Sequence, residues 1–128
     1  MSSSNTKTII INQITNFIDE LINTYPNNTE LKLFKEKYNM VKSVNSKLVL
    51  EYFIKYIYPH KENIKNENEQ FFLEGGGQEE LQDKNGLKFR DNMKNLWNEN
   101  MSEDNKKVVW KYFKTFILLI EKYILENA

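Results

Sequence analysis

Apolar residues recur at three- and four-residue spacing along most of the chain, and that period predicts a helical protein. Ile10, Ile14, Phe17, Ile18, Leu21 and Ile22 share one stripe and predict a first helix over about 7–24, which Pro26-Asn27-Asn28 ends. Residues 1–6 are polar and are expected to be disordered. Asn28 or Thr29 caps a second helix over about 30–41, with Leu31, Phe34, Tyr38 and Val41 facing inward.

The third helix, expected over about 46–58 with Ser46 as its cap, is different in kind. Apolar and aromatic residues cover nearly its whole circumference, and only Lys47, Glu51 and Lys55 form a wet stripe. A strand is the rival reading, because β-branched and aromatic residues are frequent there. Charges that recur every four residues rather than every two favour the helix. Pro59 suits the start of a short following helix.

From Asn66 to Asp83 the chain carries Glu67, Glu69, Glu74, Glu79, Glu80 and Asp83 and no basic residue. Gly75-Gly76-Gly77 disfavours helix, so a mobile acidic loop is expected over about 66–86, with first proteolytic cleavage between about 74 and 86. Asn85-Gly86 is a further turn. A helix over about 87–98 then buries Leu87, Phe89 or the stem of Arg90, Met93, Leu96 and Trp97. Ser102 caps the last helix, which runs to about residue 125. Val109, Phe113, Phe116, Ile117, Ile120 and Ile124 form its main stripe, beside Tyr112, Leu119 and Tyr123. The third and last helices are expected to be the pair around which the rest assembles. The fold class that follows is all-α, a compact bundle of five to six helices in a single domain over about 7–128.

Composition narrows the functions. The 128 residues carry 18 Lys+Arg and 18 Asp+Glu, so net charge supplies no general attraction to nucleic acid or anionic lipid. Absence of cysteine removes disulfides, thiolate metal sites and cysteine nucleophiles. No apolar run approaches the ~20 residues of a membrane helix, and the first residues lack the pattern of a signal peptide. An intracellular, cytoplasmic protein is expected. Arg90 is the only arginine among many lysines, and asparagine is abundant, a bias of A/T-rich genomes.

Candidate chemistry is sparse. His60 is the only histidine, nothing around Pro59-His60-Lys61 resembles a nucleophile turn, and a solvent-facing residue is expected there. The acidic run does not match the spacing of a calcium loop, and the Gly triplet lacks the Gly-Lys-Ser/Thr of a phosphate loop. No enzyme, no cofactor and no metal site is expected. Phe71-Phe72-Leu73 stands out, set in an acidic, glycine-ended segment. These residues either clamp the loop onto the core or dock on a partner, and Trp110, off the main stripe of its helix, has the same two readings. The alternative is a nucleic-acid face on the second helix, where Lys32, Lys35 and Lys42 lie near Tyr38. A protein partner or a homodimer is expected, the latter if the last helix is apolar on more sides than one chain covers.

Tyr58-Pro59-His60-Lys61-Glu62-Asn63-Ile64, then Phe71-Phe72-Leu73, Leu96-Trp97 and Trp110-Lys111-Tyr112-Phe113 carry a resemblance over about residues 9–124. They resemble small helical proteins of large, mimivirus-like double-stranded DNA viruses, whose genomes are often A/T-rich. The resemblance implies a helical fold and a place in the host cytoplasm or the virion. It implies no activity, cofactor or site residue. A protist with an A/T-rich genome is the alternative source.

Overall fold

The computed structural model describes residues 2–99 and 101–128, with side chains from residue 5 onward. The chain is all-α, with no strand among the described residues. The helices are α1 (Ser2–Thr24), α2 (Thr29–Val44), α3 (Ser46–Tyr56), a 3-10 turn (Tyr58–His60), α4 (Lys61–Lys65), α5 (Gln70–Glu74), α6 (Gly77–Leu81), α7 (Phe89–Asn98) and α8 (Glu103–Glu126). The count exceeds five to six because the stretch from Tyr58 to Leu81 breaks into single-turn pieces.

The caps obey local chemistry. Asn28 Oδ1 accepts from the Leu31 amide at 3.0 Å and Ser102 Oγ from the Asn105 amide at 3.1 Å. At α3 the cap is Asn45 rather than Ser46, with Oδ1 accepting from the Lys47 amide at 3.0 Å. Lys47, Glu51 and Lys55 are at or near the surface as the wet stripe requires, while Val49, Leu50, Tyr52, Phe53 and Tyr56 are buried.

Two segments expected to lack regular structure contain helix. Helix α1 begins at Ser2, and Met1 lies outside the described residues. Thr6 is buried and its hydroxyl donates to Glu126 at the far end of α8, so tertiary contact holds a turn that propensity alone would let fray. The 66–86 segment is not a structureless loop either, since α5 and α6 lie within it.

The principal partner of α8 is α1, not α3. The two run antiparallel, from Thr6 beside Glu126 through Phe17 beside Phe113 to Tyr25 beside Asn105. Helix α3 reaches α8 through Phe53, whose ring lies 5.6 Å from Phe116. The core is aromatic and centred on Phe113, which packs against Phe17, Phe71, Phe72, Phe89 and Phe116. Edge-on and offset ring pairs of this kind add about 0.5–1.5 kcal/mol each beyond their burial.

Candidate functional site

Of the residues singled out as partner contacts, Phe71, Phe72 and Trp110 are buried, and only Leu73 remains exposed. Phe72 stacks on Trp97 with centroids 4.3 Å apart and lies 4.9 Å from Trp110. The Trp97 indole donates to Glu69 Oε1 at 3.0 Å, which satisfies its polar edge. Phe71, Phe72 and Trp110 clamp α5 onto α7 and α8 as part of the core. A tight aromatic sandwich gains more by leaving water than a mobile loop gains in entropy.

The strongest concentration of perturbed chemistry is one the sequence did not mark: Glu80, Arg90, Tyr52 and His60. Helix α7 opens at Lys88, which sits in the left-handed region at φ 51 and has no acceptor to offer the first amides. Acceptors arrive from elsewhere. The Phe89 amide donates to the Tyr52 hydroxyl at 2.8 Å, and the Arg90 and Asp91 amides donate to Glu80 Oε1 at 2.9 and 3.4 Å. A carboxylate and a hydroxyl borrowed from α6 and α3 thus cap the positive end of α7.

Gly75 and Gly76 are part of this cap. Gly75 turns the chain at φ +70, and a Cβ there would lie 2.7 Å from Asp91 Oδ1. A Cβ on Gly76 would lie 2.1 Å from Glu80 Oε2, so the backbone passes where no side chain fits. The Gly76 amide donates to Asp91 Oδ1 at 2.9 Å, which ties the turn back to α7. Gly75 and Gly76 form a close-packed corner, while Gly77 is exposed with open space beside it.

Arg90 faces a different set of partners. Its Nη2 donates to the Phe71 carbonyl at 2.8 Å, its Nη1 meets His60 Nε2 at 3.2 Å, and its guanidinium lies 4.4 Å above the Phe71 ring. A planar fork that hydrogen-bonds and stacks at once is something lysine does not provide. The one arginine of a lysine-rich chain stands where lysine would fail. His60, expected to face solvent, is half-buried against Arg90 and Phe71 instead.

Burial sets the electrostatics. Glu80 is fully buried, and desolvation raises its carboxyl pKa against the lowering effect of the Asp91 amide and the Tyr52 hydroxyl. Its Oε2 has no hydrogen-bond partner of ordinary geometry among the described residues. Burial likewise raises the Tyr52 phenol, and the carboxylate of Glu80 adds to the rise. Desolvation and the adjacent guanidinium lower His60. Burial lowers Arg90, against the pull of Glu80 and Glu74.

Shifted carboxyl, phenol and imidazole groups together would serve acid–base chemistry if a substrate reached them. A cleft of about 560 Å³ lies outside, lined by Lys55, Tyr56, Glu79, Gln82, Asp83 and Lys84, yet none of the four cluster residues lines it. Tyr52 lines a smaller neighbour of about 180 Å³, but its hydroxyl is engaged with the Phe89 amide. Glu80 Oε1 is likewise engaged at the helix end. The arrangement holds α5, α6 and α7 together. Among the described residues, no group of three or more His, Asp or Glu side chains is placed to hold a metal ion.

The lysines of α2 divide by side. Lys35 pairs with Asp19, and Lys42 lies over the Tyr38 ring, 5.2 Å from its centroid. Lys32 is exposed and has no ion pair among the described residues. The opposite flank of α2 is the unexpected one. Leu33, Met40 and Val44 are 63%, 64% and 79% exposed, on one stripe with Lys37. Beside Leu33 a groove of about 360 Å³ runs towards α7, lined also by Glu30, Phe34, Lys37, Leu87 and Lys88. A second apolar pair, Leu118 and Leu125, lies on α8 without such a groove.

The sequence could have shown the α2 stripe, since positions 33, 37, 40 and 44 follow the four-three-four spacing of a helix face. The larger inward stripe of the same helix masks it. No family model, no curated protein and no solved structure matches the chain.

Proposed function

We propose that this chain is a non-enzymatic helical interaction protein, an adaptor that binds another protein through the outer flank of α2. The observation that carries the reading is the stripe of Leu33, Met40 and Val44, each mostly in water on a helix whose other face is fully packed. Single exposed apolar residues are ordinary, but an aligned row leading into a groove marks a contact surface. The buried polar groups support the same reading, because the hydrogen bonds that Glu80 Oε1 and the Arg90 guanidinium make hold helices together.

No described helix is long and apolar enough to cross a membrane. The resemblance to viral helical proteins would make the partner a component of the virion or of the infected cell's cytoplasm. The nucleic-acid reading is the weaker one, because Lys35 and Lys42 are engaged within the chain.

A photo-crosslinking residue at Met40 or Val44 tests the proposal, with one at Lys107 on the wet side of α8 as control. After irradiation in the native cell and nuclease treatment, Met40 and Val44 should give a discrete protein adduct that Lys107 does not. An adduct lost with nuclease, or none at all, would sink the adaptor reading.

A further inference from the structure

The α2 flank also bears on what kind of partner it takes, an inference that rests on the adaptor reading above. Leu33, Lys37, Met40 and Val44 are spaced by four, three and four residues, which is the seam of a helix that packs along another helix. At 1.5 Å per residue the seam is about 16 Å long, or three turns. Its apolar contacts are Leu33, Met40 and Val44. Its interruption is Lys37, at a position that normally faces the partner's core.

The groove's surplus of positive charge, two lysines against one acid, indicates the partner's charge. Neither Lys37 nor Lys88, which share the groove beside Leu33, is in an ion pair among the described residues. One acid, Glu30, lines the same groove. A partner that covers this surface takes both ammonium groups out of water, and a buried charge needs an opposite charge. We propose that the α2 seam receives an amphipathic helix of another protein, with apolar residues at matching spacing and acidic residues opposite Lys37 and Lys88.

A second copy of this chain fits less well. Paired in parallel, the seam would set Lys37 against its own counterpart, a like-charge contact. Paired antiparallel about the middle of the seam, it would set Lys37 against Met40 and leave both ammonium groups without a counter-charge. Nucleic acid would neutralise the lysines but leaves Leu33, Met40 and Val44 without apolar contact.

The probe is a fluorescein-labelled helical peptide with leucine at i, i+4, i+7 and i+11 and glutamate at the flanking positions, titrated with the full chain. Saturable anisotropy is expected. It should weaken by roughly tenfold in Leu33→Glu/Met40→Glu, and by a similar factor in Lys37→Glu/Lys88→Glu, since a factor of ten is ~1.4 kcal/mol. A peptide with lysine in place of glutamate should not bind the wild-type chain and should recover binding to Lys37→Glu/Lys88→Glu. Far-UV melting curves that superimpose on wild type separate a damaged docking surface from a damaged fold.

No binding of the acidic peptide to wild type would overturn the proposal, as would equal binding of the lysine peptide. So would a doubled mass in light scattering that Met40→Glu abolishes, which would make the occupant a second copy. Displacement of the peptide by a single-stranded oligonucleotide at equal concentration would overturn it in favour of nucleic acid. If Met40 crosslinks a protein in cells while the acidic peptide fails, the adaptor reading stands and the acidic partner falls. Without that crosslink, both fall.

Discussion

Two regions of this molecule invert the usual division between core and surface, in opposite senses. From Gln70 to Arg90 a polar, acidic, glycine-rich stretch supplies buried Phe71, Phe72, Glu80 and Arg90. Along α2 a regular helix leaves Leu33, Met40 and Val44 in water. The first inversion is explained from within: Glu80 serves a helix end, and Arg90 serves a carbonyl and a ring. The second has no internal explanation, and the contrast is why function is sought on α2. A buried carboxylate with its oxygen spent on amides is a structural part, whereas an apolar row with nothing against it is an incomplete contact.

The contrast is easiest to break at Phe72. Truncation to Ala should cost about 3–5 kcal/mol, because the stack on Trp97 and the contacts with Trp110 and Phe113 leave a cavity in a core that cannot close over it. Urea denaturation reads this directly. A loss below ~1 kcal/mol would return Phe71-Phe72 to the surface role that the sequence allowed them.

Gly76→Ala is expected to come next. Its methyl would displace Glu80 from the α7 amides, at about 2–3 kcal/mol for strain and lost capping together. Limited proteolysis should then cut between residues 74 and 86 faster than in wild type. Unchanged resistance would mean that the corner is loose after all. Arg90→Lys belongs at about 2 kcal/mol, since it forfeits the Phe71 carbonyl contact and the stacking.

The sequence revealed the long helices because each carries a periodic apolar stripe that survives any arrangement of its neighbours. Asn28 and Ser102 capped where they stood, and Lys47, Glu51 and Lys55 fell on the wet side. What it hid was every interaction that depends on which elements meet. Glu80 looks like its neighbour Glu79 in an acidic run, and only the approach of α7 makes one a buried cap and leaves the other in solvent. Glycines signal turns and close approaches alike, so the triplet read as mobility. Thr6 is held in helix by its contact with Glu126 of α8. The pairing of α8 with α1 rather than α3 was not encoded in either stripe alone.

The protonation of Glu80 supplies a smaller test with a defined sign. Its carboxyl pKa is raised by burial, so the folded state holds that proton more readily than the unfolded chain does. Its contribution to stability is therefore full below the unfolded carboxylate range, about pH 4.3, and is lost as pH rises through the folded value. His60 acts in the opposite sense. With its pKa lowered, it contributes above about pH 6.5 and that contribution is lost as pH falls through the folded value. Glu80→Gln keeps the acceptor for the α7 amides and removes the charge. The difference between wild type and Glu80→Gln, followed from about pH 4 to about pH 8, should thus move towards the variant as pH rises. Glu80→Ala also lacks the acceptor and should lie about 2 kcal/mol below Glu80→Gln at every pH, since neither variant titrates there. Parallel curves for wild type and Gln would show a carboxyl that titrates as if in water.

The smallest expected effect on stability carries the most about function. Leu33→Glu, Met40→Glu and Val44→Glu, together, should leave unfolding within about 0.5 kcal/mol of wild type, since each side chain already lies mostly in water. The same triple change should abolish the crosslinked adduct when the photoreactive residue stands at Lys37, between them. An intact fold that no longer reaches its partner is what distinguishes a docking face from a core facet. If the triple variant instead unfolds readily, the stripe packs against part of this chain in solution, and α2 would no longer be the incomplete surface. If it is stable and still forms the adduct, the partner sits elsewhere, and Leu118 and Leu125 on α8 become the next apolar row to test.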